Sequence, residues 1–259
     1  MAKFWNFKAK ENNAELMLYG EISDTSWWGD EVTPKAFKAE LDALGDIEQI
    51  DIYINSGGGD VFAGEAIYNM LRRHNARKIV HIDGLAASIA SIIAMAGDEI
   101  VMPENAMLMI HEAWTITGGN KRDLRGMADT LERLDGALCG IYVARTGKAE
   151  DEIMQMMESE TWMTAHEAVD AGFADTLESN KKIAASVEGK MLTMNGQRFN
   201  MSRYANAPEI TPCNGAIQQP IEEIDSENTE TKPNNALKMQ RESFAKTREK
   251  IIKTYEKGE

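Results

Sequence analysis

Three short segments of this chain hold residue types and spacings that could do chemistry. The first is Ile54-Asn55-Ser56-Gly57-Gly58-Gly59-Asp60. Consecutive glycines let the backbone take positive φ and let another group approach closely. The N–H groups of such a turn can hold a phosphate or a developing oxyanion. The Lys-Ser/Thr ending of a phosphate loop and the spaced glycines of a dinucleotide fingerprint are both missing. On its own the segment suits a tight strand-to-helix turn equally well. The second is Gly84-Leu85-Ala86-Ala87-Ser88-Ile89-Ala90-Ser91. Here small residues surround a serine at a strand-to-helix turn, a place that exposes a hydroxyl and points N–H groups at whatever it attacks. The Gly-x-Ser-x-Gly elbow is absent, which disfavours an α/β-hydrolase, and Ser88 could instead simply cap the helix. The third is Met107-Leu108-Met109-Ile110-His111-Glu112, in which a histidine ends an apolar strand. His111 suits a general base or a hydrogen-bonded core residue. His74 beside Arg72 and Arg73, His81 inside a strand and His166 at a polar helix start are poorer candidates for a base.

These segments need elements to hold them. Strand periodicity runs over Ala14–Ile22, Ile47–Ile54 and Lys78–Asp83, with short strands near Glu99–Met102 and Ala106–Ile110. Helical periodicity follows Pro34 through Phe37, Leu41 and Leu44, and returns over Ala63–Arg73. Ser88–Ala96 is apolar nearly all round, which predicts a buried helix. A long helix is predicted over Lys121–Arg145, closed by Thr146-Gly147, then helices over Ala149–Glu158 and Ala165–Ala171. Strand and helix alternate, so the fold class is α/β with crossover connections. The peptide changes character near residue 180. Residues 181–235 are polar and aperiodic, which predicts a weakly ordered linker. Residues 236–259 are charged, with a helical tendency.

Composition narrows the function classes. The chain has 259 residues, 43% of them hydrophobic, enough for one sizeable core. The net charge of −14 opposes nucleic-acid binding, which needs Lys and Arg to displace counterions. No run of eighteen apolar residues occurs, so no membrane span is expected. Met1-Ala2-Lys3-Phe4-Trp5-Asn6 lacks the pattern of a signal peptide, and a cytoplasmic location is expected. Cys139 and Cys213 are too few for a disulfide framework or a zinc site, and neither metal nor cofactor is expected. The 16 Met residues suit core filling, or else a soft surface for peptides.

Taken together, the three segments make a family recognisable. Ala14–Leu177 resembles the proteolytic subunit of the Clp protease (ClpP), and especially the shorter phage-encoded branch that acts as a prohead or head-maturation protease. The matching motifs are Ile54–Gly59, Gly84–Ser88 and Met109–His111. A fourth is Glu160-Thr161-Trp162-Met163-Thr164-Ala165-His166-Glu167-Ala168, running on to Gly172–Asp175. Ser26-Trp27-Trp28-Gly29-Asp30-Glu31-Val32-Thr33-Pro34 points to the phage branch. The resemblance implies a ClpP/crotonase-like α/β fold of repeated ββα units over residues 1–180, with a polar C-terminal extension. It implies a serine endopeptidase with Ser88 as nucleophile, His111 as base, and Gly58, Gly59 and Ile89 as oxyanion-hole amides.

The chain departs from the family pattern at two places. A proline stands in the family's glycine turn where this chain has Gly57. The family's third triad member is an aspartate, and the matching position here is Glu160, with Glu158 a nearby competitor and Asp170 and Asp175 beyond the motif. Trp27-Trp28 suits a core or subunit-contact anchor, or a wall of the substrate groove, and Trp162 suits packing against the His111 strand. The resemblance further implies a homo-oligomeric ring, a heptamer or stacked heptamers, with Lys121–Arg145 in the region that joins rings. Protein substrates are implied, for a phage enzyme capsid or scaffold proteins; whether an ATP-dependent unfoldase takes part stays open. The alternatives are a capsid-assembly scaffold with a decayed site and a crotonase-like acyl-CoA enzyme.

Overall fold

The computed structural model describes residues 5–10, 12–23, 34–179 and 185–208, all within the first of two compact units, Met1–Pro212. Trp27-Trp28, Cys213 and the expected helix over 236–259 lie outside the described residues.

Alternating apolar residues build the main sheet. Leu16 and Leu18 of β2 (Asn13–Tyr19), Ile50, Ile52 and Ile54 of β3 (Gln49–Ser56), and Val80 and Ile82 of β4 (Arg77–Ala87) are all buried. They share one core with Phe37 and Leu41 of α1 (Pro34–Ala43), Ile67 and Leu71 of α2 (Val61–Arg73), and Ile92 and Ile93 of α3 (Ile89–Ala94). Each such side chain contributes about 1.5–3 kcal/mol on burial. β1 (Trp5–Lys10) pairs antiparallel with β2. The order continues through β3, β4, β5 (Glu99–Pro103) and β8 (Thr176–Glu178) in parallel. The α/β class expected from the sequence is therefore the class observed. β1 had no counterpart in the sequence reading.

β4 divides its pairing, and this division positions the site. Its first half, Ile79–His81, pairs with Glu99–Val101 of β5. Its second half, Leu85–Ala87, pairs in parallel with Met107–Met109 of β6 (Met107–Ile110). β6 in turn pairs antiparallel with β7 (Thr161–Thr164), where Met109 faces Trp162. α4 (Lys121–Thr146) opens on a capping box of Asn120 and Asp123 and ends at Gly147, whose φ of 71° is the left-handed cap predicted from Thr146-Gly147. α5 (Glu150–Glu158) and α6 (Ala165–Asp170) follow close to their predicted limits. Among the described residues no helix is long and apolar enough to cross a membrane.

A second sheet departs from the sequence expectation. Part of the segment read as linker forms β9 (Ala185–Glu188), β10 (Met191–Met194) and β11 (Gln197–Asn200), paired in order β9-β10-β11 and antiparallel throughout. The turn between β10 and β11 is Asn195-Gly196, with φ of 48° and 77°. Two successive positive φ values are what a tight two-residue hairpin requires, and Asn-Gly supplies them at least steric cost. Leu192, Met194 and Phe199 of this sheet, with Met201 just after it, form their own core with Leu85, Ala87 and Met109. Buried Asn55 joins the two sheets, donating from Nδ2 to the Met194 carbonyl at 2.9 Å and accepting the Leu85 N–H at 3.2 Å. The polar composition concealed this small apolar face, which is buried only because β4 and β6 offer it a partner.

Candidate active site

Three parallel strands, β3, β4 and β6, end side by side. In open α/β sheets the crevice beyond the carboxyl ends of the strands is where ligands bind. Ser88 follows β4 at φ 56°, ψ −133°, a strained conformation for a residue with a Cβ. Its N–H donates to the Met109 carbonyl at 3.0 Å, tying it to the end of β6. As the residue before α3, Ser88 makes no side-chain capping bond, so a plain capping role does not account for it. Its hydroxyl instead meets His111 Nε2 at 2.8 Å. The parallel register of Leu85–Ala87 with Met107–Met109 brings the two together across 23 residues of sequence.

Burial pushes the His111 imidazole below the ordinary histidine value of 6.5, and the charge of Glu160 pulls it partly back up. A neutral imidazole at neutral pH can take a proton from the hydroxyl beside it. Glu160 sits at φ 48° in the turn between α5 and β7. Its carboxylate accepts from Trp162 Nε1 at 3.1 Å, from the Ala205 N–H at 2.8 Å and from the Asn206 N–H at 2.7 Å. It therefore acts on His111 through its field, and none of the hydrogen bonds among the described residues joins the two. Trp162 lies on the strand beside β6, as expected.

The glycine turn lies close to Ser88. A Cβ on Gly58, which has φ 92°, would fall 2.6 Å from Ser88 Cβ, so only glycine fits. Gly58 donates its N–H to Ser56 Oγ at 3.1 Å, which commits that amide elsewhere. Gly59 differs. Its neighbours hold Ile22, through Ile22 N–H to the Gly58 carbonyl at 3.0 Å and Asp60 N–H to the Ile22 carbonyl at 2.8 Å. A parallel bridge of this kind turns the Gly59 N–H away from Ile22. The Ile89 N–H is the first of α3 and has no acceptor within its helix. Gly59, Ser88 and His111 line one cavity together with Glu21, Arg203 and Trp114.

The sequence reading missed Tyr204. It follows a single 3-10 turn, Met201–Arg203, after β11. Its hydroxyl donates to the Gly57 carbonyl at 2.6 Å, and its ring meets those of His111 and Trp162 edge-on, with centroids 6.3 and 5.2 Å away. Burial pushes its hydroxyl up to about 12, so it stays a donor across neutral pH. The signal that could have located this region is Asn195-Gly196 between two four-residue runs, a strong hairpin pattern.

A serine held against a buried imidazole, beside a glycine turn and a free helix N-terminus, is an arrangement suited to acyl transfer. Comparison with known proteins agrees. Residues 11–181 match the family model described as Clp protease, and the chain belongs to the Clp protease family, whose proteolytic subunits are serine peptidases. The chain is 33% identical to the ATP-dependent Clp protease proteolytic subunit of Deinococcus radiodurans, over 52% of this chain and 67% of that one. It is 34% identical to the corresponding protein of Ligilactobacillus salivarius, over 64% of this chain and 84% of that one. In fold it is similar to the solved structure of a ClpP1 mutant from Listeria monocytogenes, with a TM-score of 0.56 and 23% identity, over 64% of this chain and 92% of that one.

Proposed function

We propose that this protein is a serine endopeptidase in which Ser88 attacks the peptide carbonyl and His111 takes its proton. The 2.8 Å contact between Ser88 Oγ and His111 Nε2 carries the reading. His111 then returns the proton to the leaving amine, and a water repeats the sequence to release the acyl group. The Gly59 and Ile89 amides receive the oxyanion, each such donor lowering the barrier by about 3 kcal/mol. Gly58, whose amide serves Ser56, contributes by letting the turn approach Ser88. Glu160 completes the triad at a distance, favouring the imidazolium by its charge. The intact Ser88–His111 pair supports this reading over an acyl-CoA enzyme, which needs no such pair, and over a scaffold with a decayed site.

The Clp protease family forms rings that act on proteins. We infer the same for this chain, in the cytoplasm. We assign it to the phage head-maturation branch, with capsid or scaffold protein as substrate. The motif around Pro34 and the extension beyond residue 180 support that assignment.

A fluorophosphonate probe tests the chemistry. Labelling is expected at Ser88 and is expected to disappear in Ser88→Ala and to fall steeply in His111→Ala. Mass spectrometry of casein and of a phage capsid precursor incubated with the protein reads the substrate class, with turnover falling roughly 10⁴-fold or more in either variant. Cleavage that survives in Ser88→Ala overturns the assignment. Cleavage of casein with an untouched capsid precursor removes the head-maturation role and leaves the peptidase.

A further inference from the structure

The segment after β11 reaches three separate parts of the site. The Tyr204 hydroxyl holds the Gly57 carbonyl at 2.6 Å, its ring lies edge-on to His111, and the next two backbone amides hold the carboxylate of Glu160. We propose that Tyr204 is a positioning residue of the peptidase site: its hydroxyl fixes the glycine turn through the Gly57 carbonyl, and its ring sets the His111 imidazole against Ser88. The inference rests on the peptidase reading above and adds a part contributed by the C-terminal sheet.

Gly57 supplies an independent observation. In this chain a Cβ at position 57 would lie 3.0 Å from the Tyr204 hydroxyl oxygen and 3.4 Å from Phe199 Cδ1. The first distance is tighter than side chains ordinarily tolerate. The missing side chain at 57 is thus the space that Tyr204 and Phe199 occupy. The next link is local: the Gly57 carbonyl that Tyr204 holds is two residues from the Gly59 amide, so a fixed carbonyl fixes the donor.

The ring has a second effect. It covers one side of His111, whose other charged neighbours are Glu160, which acts through its field, Glu112 next in the chain, and Arg203 and Glu21 in the lining of the same cavity. Removing the ring admits water to the imidazole. The imidazolium then becomes easier to form, and the pH at which the base is lost rises.

The experiment uses the full chain as wild type, Tyr204→Phe, Tyr204→Ala and Ser88→Ala. It measures kcat and KM on an aminomethylcoumarin peptide across pH, with fluorophosphonate labelling of Ser88 as a second readout. Tyr204→Phe keeps the ring and loses the hydrogen bond. It is expected to lower kcat about tenfold, with KM within about twofold, and to keep the wild-type acid limb. Tyr204→Ala is expected to lower kcat further and to move the acid limb of kcat/KM to higher pH. Restoration of that limb by phenylalanine separates positioning of the base from general stability. Wild-type kcat in Tyr204→Phe together with an unmoved acid limb in Tyr204→Ala overturns the inference while the peptidase reading stands. A wild type as inactive and unlabelled as Ser88→Ala overturns the peptidase reading itself. Should Tyr204→Ala fail to fold, the kcat of Tyr204→Phe decides alone.

Discussion

Ser88 and His111 form a pair whose chemistry depends on one proton. In the proposed mechanism His111 works as a base only while its imidazole is neutral, so activity is expected above its pKa and is lost as pH falls through it. Burial sets that pKa below the ordinary 6.5, and Glu160 opposes the shift. The acid limb of kcat/KM is therefore expected below the usual histidine range. Glu160→Gln removes the opposing charge, so the limb should move to still lower pH, while kcat falls because the imidazolium of the transition state loses its support. A pH profile of the two proteins checks both signs; a limb that moves upward in Glu160→Gln would contradict the field argument. At this scale the sequence was informative about identity and silent about contact. Ser88 and His111 were legible because small residues before a helix and a histidine after a strand are local patterns. That Glu160 is held by amides some 45 residues later depends on tertiary neighbours that no local pattern encodes.

Helix α3 is short, wholly buried and begins directly after Ser88, so its placement sets the Ile89 amide. It packs on α2 where Gly64 has no side chain. A Cβ there would meet Ile89 Cγ1 at 2.1 Å. Gly64→Ala must push the two helices apart or force Ile89 off its rotamer. The expected cost is about 1–3 kcal/mol in denaturant unfolding, the range for overpacked cores, with a fall in kcat because the displaced residue carries a proposed oxyanion donor. Unchanged stability and activity would mean that this contact relaxes freely. Elements with strong periods were legible: α2, α4 and the β3 core run are found within a few residues of their predicted limits. β9, β10 and β11 were not, for a physical reason. Each is four residues long, and composition over a wide window outweighed their alternation. The Asn195-Gly196 turn was the one local feature strong enough to reveal them.

On the scale of the whole molecule, α4 extends beyond its own packing. Its buried residues begin only at Asp135, although the helix starts at Lys121. Leu124, Met127, Leu131, Leu134 and Leu138 recur at alternating spacings of three and four. Such a row is the seam by which helices pack on one another. Leu124 is 46% exposed, and Trp114 and Ile116, in the loop before the helix, are more exposed still. A second copy of the chain covering this row agrees with the ring assembly of the family. Leu124→Glu combined with Leu131→Glu is expected to shift sedimentation toward smaller species and to leave the secondary structure seen by circular dichroism in place. Sedimentation identical to the wild type would place the contact between copies elsewhere.

The order in which the polypeptide is made gives the Tyr204 contact a further consequence. Gly57 and Tyr204 are 147 residues apart, and Ser88 and His111 both lie in the stretch between them. A ribosome delivers Ser88 and His111 long before the tyrosine emerges. During that interval the glycine turn lacks its anchor and the imidazole lacks its cover. On the positioning role proposed for Tyr204, the site is complete only once translation has passed the end of the second sheet.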